Sequence, residues 1–206
     1  MGCRTNSCIR IALMTIATLV LGVPYALARD DESAEFLSGE YGFTTLQNCV
    51  RTPFLPAAVS GFDPNTHQLL VNGEVAEAVG SGVMQFAKDG TVTVTAGGTE
   101  VQENQISAGQ TPVVPGTEYT CSGTYAVEPT NEVTVTLPSC VVKTNSPGVT
   151  VTVGPLEFEG YVGKDRRSIN LSLLKANIQT VAVSVAGNVV QKRERICIQS
   201  LSLDKL

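Results

Sequence analysis

Apolar positions recur at every second residue through most of this chain, the period of a strand with one buried face. The clearest case is residues 117–140, TEYTCSGTYAVEPTNEVTVTLPSC. Tyr119, Cys121, Gly123, Tyr125 and Val127 share one face of its first arm, and Val133, Val135 and Leu137 share one face of its second. The cluster Glu128-Pro129-Thr130-Asn131 makes the turn between them. Pairing Val127 with Val133 brings both apolar sets to one side, as a one-sided core requires.

The same plan repeats along the chain. Residues 40–49 read as a first strand, with Tyr41 and Phe43 on one face. Residues 69–74 are a short apolar run. Residues 82–87 and 91–95 form a hairpin through Lys88-Asp89-Gly90, with Val92 and Val94 on one face and threonines on the other. Val149, Val151 and Val153 sit at odd positions, whereas Leu156 and Phe158 are even; Gly154-Pro155 between them predicts a bulge or bend. Ile169, Leu171 and Leu173 form another face, as do Val181, Val183 and Val185. Ala186-Gly187-Asn188 is a tight turn before a last strand over 189–203. Two stretches lack a strand pattern and read as long loops: 50–68, with Pro53, Pro56, Gly61 and Pro64, and 103–116.

Sequential hairpins with no convincing amphipathic helix predict an all-β fold. Closure removes exposed edges, so the expected architecture is an antiparallel up-and-down barrel of roughly 8–10 strands, with a two-sheet β-sandwich as the alternative. Tyr119, Tyr125, Val135 and Phe158 are the expected interior lining.

The N-terminus changes the picture of where this domain resides. Arg4 and Arg10 precede an apolar run over 11–23 that is short for a membrane span, and Ala26-Leu27-Ala28 fits a small-x-small cleavage site. This predicts a signal peptide over 1–28, a flexible leader over 29–38 and a single barrel domain over 39–206. The mature protein is then secreted or periplasmic and not an integral membrane protein. A membrane barrel would also need aromatic girdles, and the chain has only five Tyr and six Phe. The formal charge of −5, with no long basic stripe, argues against nucleic acid as a partner.

Cys3 and Cys8 belong to the signal; Cys49, Cys121, Cys140 and Cys197 remain. An even number in an exported chain predicts two disulfides, and the count alone leaves all three connectivities open. Regular pairing of the 117–140 hairpin sets Cys121 opposite Ser139. A Cys121–Cys140 bridge therefore needs a one-residue bulge, and Pro138 is where a ladder would be interrupted. If the barrel closes, Cys49 on the first strand and Cys197 on the last become neighbours across the seam.

Four stretches taken together carry a family resemblance: SGEYGFTTLQNC over 38–49, GVMQFAKDGTVTVT over 82–95, the hairpin over 119–135, and SVAGNVVQKRERIC over 184–197. They resemble small exported bacterial proteins of uncharacterised function that begin Gly-x-Tyr-x-Phe and carry Phe-x-x-Asp-Gly and Gly-x-Tyr-x-Val hairpins. The resemblance implies a calycin-like barrel, similar in plan to lipocalins, avidins and allene oxide cyclase-type barrels. Where lipocalins keep Gly-x-Trp, this chain has Gly39-Glu40-Tyr41.

Candidate chemistry is sparse, and no catalytic, metal or cofactor residue is predicted. His67, the single histidine, has Asp63 nearby and is the one candidate base or ligand; the ordinary reading is an exposed loop histidine. Glu157 and Glu159 face solvent if Leu156 and Phe158 face the core. Lys164, Arg166 and Arg167 with Lys192, Arg193 and Arg195 form a candidate anion patch. The leading expectation is an exported non-enzymatic barrel that binds a small, largely apolar molecule inside. The alternatives are a structural or interaction module of the cell envelope with a packed core, and a barrel-mouth enzyme using His67.

Overall fold

The computed structural model describes residues 37–102, 113–144, 146–173 and 177–206. The expected signal peptide, and the leader up to residue 36, lie outside them. The strands are β1 (Gly39–Arg51), β2 (Leu55–Pro56), β3 (Glu74–Phe86), β4 (Thr91–Gln102), β5 (Val113–Val127), β6 (Glu132–Val142), β7 (Val149–Gly154), β8 (Leu156–Val162), β9 (Ser168–Ser172), β10 (Gln179–Val185) and β11 (Asn188–Lys205).

Neighbours run β1-β3-β4-β5-β6, and β11 returns to pair with β1 along its length from Tyr41↔Lys205 to Arg51↔Arg195. Between β6 and β11 two staves are each broken in two. β8 pairs with the first half of β6 and β7 with its last residues; β9 and β10 pair in the same way with the two halves of β11. Every pairing is antiparallel, so the fold is a closed up-and-down barrel of eight staves and not a sandwich. The end at Gly39 is called lower here, and the end at Arg51 upper.

β3 is longer than the expected strand at 82–87. Its first half, from Glu74, is rich in alanine and glycine and so shows little apolar alternation. The apolar run at 69–74 is not a strand: Leu69 and Leu70 are exposed in the loop before β3. Part of the expected long loop extends the barrel, since β2 continues the line of β1 against Lys192 and Gln191 of β11.

The broken stave explains the phase change along β7 and β8. At the same height β6 carries a bulge, in which Leu137 and Pro138 together oppose Gly123. A Cβ on Gly123 would run into the backbone carbonyl of Thr136, so the wall bends where a glycine permits close approach. The bulge moves Cys140 opposite Cys121, and these two are bonded. Cys49 and Cys197 face each other across the β1–β11 seam and form the second disulfide. All four cysteines are buried. Two buried disulfides belong to an oxidising environment of the extracellular type.

The lower half of the barrel is filled. Tyr41, Phe86 and Tyr125 stack edge to face, with ring centroids 5.4 and 4.9 Å apart. Met84, Val92, Val133, Val135, Phe158, Ile169 and Leu203 pack around them, all buried. Leu37, placed in the leader by the sequence, is fully buried against this core. The Tyr125 hydroxyl lies 2.7 Å from the Leu37 carbonyl and 2.9 Å from that of Ala87. The outward faces of β4 and β6 carry exposed Thr91, Thr93 and Thr95, and Thr134 and Thr136.

Candidate functional site: a cavity in the upper half of the barrel

Above this packed half the interior opens into a cavity of about 120 Å³. It is hollow because one wall supplies almost no side chain. Inward positions along β3 read Ala76, Ala78, Gly80 and Gly82, and Ala96 and Gly98 follow on β4. Ala78, Gly80 and Gly98 line the space directly.

The other two walls differ in chemistry. β1 and β11, adjacent at the seam, contribute Thr45, Gln47, Gln199 and Arg195. β6, which lies across the barrel from β1, and the adjoining stave of β7 and β8 contribute Cys140, Val142, Val153 and Leu156. Tyr119 of β5 stands beside the apolar wall. The Gln199 amide donates to the Thr45 hydroxyl at 2.9 Å, and Arg195 Nε donates to Gln179 Oε1 at 2.9 Å. Burial pushes the Tyr119 phenol up, and the Arg195 guanidinium works in the opposite direction.

A charged cluster sits at the upper end of the same seam. Arg51 and Arg195 are register partners one inward step above the Cys49–Cys197 bridge. Arg51 Nε donates to Glu74 Oε1 at 2.6 Å, and Arg193 Nη2 lies 3.4 Å from the same oxygen. The Arg193 guanidinium also covers the Phe54 ring at 4.5 Å.

The candidate anion patch of Lys164, Arg166, Arg167, Lys192, Arg193 and Arg195 does not form as a unit. Period two divides β11: Arg193 and Arg195 share the inward phase, and Lys192 takes the opposite one, where its Nζ meets Glu194 at 2.7 Å. Lys164, Arg166 and Arg167 lie in the β8–β9 turn at the lower end. Glu194 is itself buried and accepts from the backbone N–H groups of Gly61 and Phe62 at 2.8 and 3.1 Å. Burial acts to raise its carboxyl, but the Lys192 ammonium and the two N–H groups outweigh this and hold it below its ordinary value.

The other expected positions fall as follows. Tyr119 lines the cavity, whereas Tyr125, Val135 and Phe158 face inward within the packed half and do not line it. His67 is exposed in the loop before β3, in the left-handed region at φ 57°. The Asp63 side chain is occupied in closing that loop: it accepts from the N–H groups of Thr66 and Asn65, both at 2.8 Å, which hold its carboxyl below the usual range. Glu157 is exposed as expected, and Glu159 is half-buried. Among the described residues, no group of three His, Cys, Asp or Glu side chains could hold a metal ion.

Sequence reasoning missed Gln47, Gln199 and Arg195 as lining residues. The phase of β1 and β11 places all three on the cysteine-bearing face, and the small even positions of β3 mark the wall opposite nothing bulky. No protein-family model matches this chain, and neither a curated protein nor a solved structure matches it.

Proposed function

We propose that the protein is an exported, non-enzymatic barrel that holds one small molecule in the upper half of its interior. One observation carries this reading: the interior is packed solid below and hollow above, with polar side chains turned inward around the hollow. Eight-staved barrels either fill their interior or hold one ligand. A calycin-like relationship, taken from the sequence resemblance, is in keeping with such a role. Size restricts the ligand. A cavity of about 150 Å³ accepts benzene, and pockets for larger ligands run from about 300 Å³ upward. A space of about 120 Å³ is smaller than either and therefore suits a compact molecule of up to about six non-hydrogen atoms, not a lipid. With Thr45, Gln47, Gln199 and Arg195 on one wall, the ligand would be amphiphilic, not wholly apolar as the alternation alone suggested.

The test is ligand-observed NMR on the mature chain with a set of ring-sized compounds, repeated on Ala78→Leu, which adds bulk to the small wall. Saturable binding that Ala78→Leu removes is the expected result. A chain that binds none of the set would overturn the proposal in favour of a structural or interaction module. That second reading draws support from the outer wall, where Leu46 and Val79 are cross-strand neighbours, 53% and 58% exposed, and Ile198 is 77% exposed.

A further inference from the structure

Gln47 and Gln199 are direct register partners on β1 and β11, both in the inward phase and one inward step below the Cys49–Cys197 bridge. Side chains so paired stand about 5 Å apart at Cβ. The Gln199 amide is turned to Thr45, to which it donates at 2.9 Å, and this leaves Gln199 Oε1 as an acceptor. On its other flank Gln47 pairs with Ala78 of β3, whose side chain has neither a polar atom nor bulk. Gln47 lines the cavity, and among the described residues its carboxamide has no hydrogen-bond partner. Arg195 is the one charged side chain among the described residues that line the cavity, and it is engaged: its Nε donates to Gln179, and it makes a further interaction besides. The side chains left open to an occupant are therefore neutral, carboxamides and hydroxyls.

From this pairing we infer that the cavity takes a compact, uncharged primary carboxamide of up to about six non-hydrogen atoms, held by Gln47 and Gln199. The inference rests on the cavity being a binding site. A carboxamide presents a donor and an acceptor side by side in one plane, so its complement is the same edge reversed. Glutamine reads the adjacent donor and acceptor of adenine by this two-point geometry. Here the ligand carbonyl accepts from Gln47 Nε2 while one ligand N–H donates to Gln47 Oε1. The second N–H of a primary amide then has Gln199 Oε1 as its acceptor. A carboxylate of the same shape has no N–H for either oxygen, and stripping its water costs far more for an ion than for an amide. The alkyl body of the ligand lies toward Val142 of β6, across the barrel from β1, and the bare wall of Ala78 and Gly80 leaves room for it. The Cys49–Cys197 bridge holds β1 and β11 in register and so keeps the two carboxamides at a fixed spacing.

Three probes of one size and shape separate hydrogen bonding from charge: isobutyramide, methyl isopropyl ketone and isobutyrate, titrated into the isotope-labelled mature chain and followed by NMR. Isobutyramide is expected to bind about three- to tenfold more tightly than the ketone, which keeps the acceptor and lacks the donors, the range for neutral hydrogen bonds. Isobutyrate is expected to bind at least about tenfold more weakly than isobutyramide. Gln47→Met keeps the length of the side chain without its hydrogen-bonding edge, and is expected to bring isobutyramide within about twofold of the ketone. An unchanged preference in Gln47→Met would overturn the assignment to Gln47. If that variant fails to fold, the wild-type chain still decides, through nuclear Overhauser contacts from bound isobutyramide to the Gln47 side-chain amide protons; these are expected, and their absence overturns the assignment. Equal affinity for amide and ketone, or tighter binding of isobutyrate, would overturn the carboxamide and leave the binding site standing. Failure of all three probes would overturn both.

Discussion

Cys121 faces Cys140 only because Leu137 and Pro138 together span the place opposite Gly123. The bulge sits where β6 passes from its β8 partner to its β7 partner, so one irregularity aligns a disulfide and opens the corner of the wall. Gly123→Ala is therefore expected to cost about 1–3 kcal/mol, because its methyl group would meet the Thr136 backbone, which cannot rotate away. Ala126→Gly on the outward face of the same strand is the control. Urea denaturation of both variants, read by near-ultraviolet circular dichroism, checks this; equal midpoints would contradict the account of the corner.

The two disulfides should differ in weight. Cys49–Cys197 is separated by 148 residues and Cys121–Cys140 by 19. On a chain-entropy model these loops are worth about 5 and about 3 kcal/mol. Replacing the seam pair by alanines should lower stability more than replacing the hairpin pair, by about 2 kcal/mol. The reverse order in guanidinium denaturation would place the main contribution in the native-state packing of the hairpin bridge instead.

The lower end predicts a cost for shortening the chain. Leu37 is buried, and its carbonyl accepts from Tyr125. Leu37→Ala should lose about 2–5 kcal/mol, the range for a buried leucine, whereas an exposed leader would lose nothing measurable. The Tyr125 phenol is pushed up to about 12, by burial first and then by Asp89 and Tyr41. A spectrophotometric titration should show one tyrosine ionising near pH 12, and Tyr125→Phe should remove that step.

Much of this fold was legible because strand alternation is a local signal. Val92, Val94, Val133, Val135 and Leu137 each announce a face within a few residues, and all five are buried. Closure was also legible, because so many sequential strands leave edges that closure removes, and it made neighbours of Cys49 and Cys197. The cavity was harder to read, because a hollow is made by what is missing. Ala78, Gly80 and Gly98 carry no apolar signal. Arg195 looked like part of a surface charge run with Lys192 and Arg193. Its inward phase follows only once Cys197 is fixed as inward, which depends on pairing with Cys49 across almost the whole chain. His67 was legible as an exposed loop histidine from the prolines and glycine around it, whereas only the loop geometry shows Asp63 occupied with its own turn.

Glu194 links the long loop to the barrel and should make the protein acid-sensitive. Its carboxylate joins Lys192 to the N–H groups of Gly61 and Phe62, and none of these partners is satisfied equally by the protonated acid. The folded-state value lies below the ordinary 4.5, so the folded form holds its proton less tightly than the unfolded chain. The stability from this group is then fully present above about pH 4.5 and is lost as pH falls through the depressed folded value. Glu194→Gln should destabilise the protein at pH 7, by about 1–3 kcal/mol for a buried acceptor with charged and backbone donors, and flatten the acid limb of the stability curve. Denaturation midpoints measured from pH 7 down to pH 3 check both parts. An acid limb as steep in Glu194→Gln as in the wild type would assign acid sensitivity to other carboxylates, of which Asp63 and Asp89 also lie below their ordinary values through hydrogen bonds in their turns.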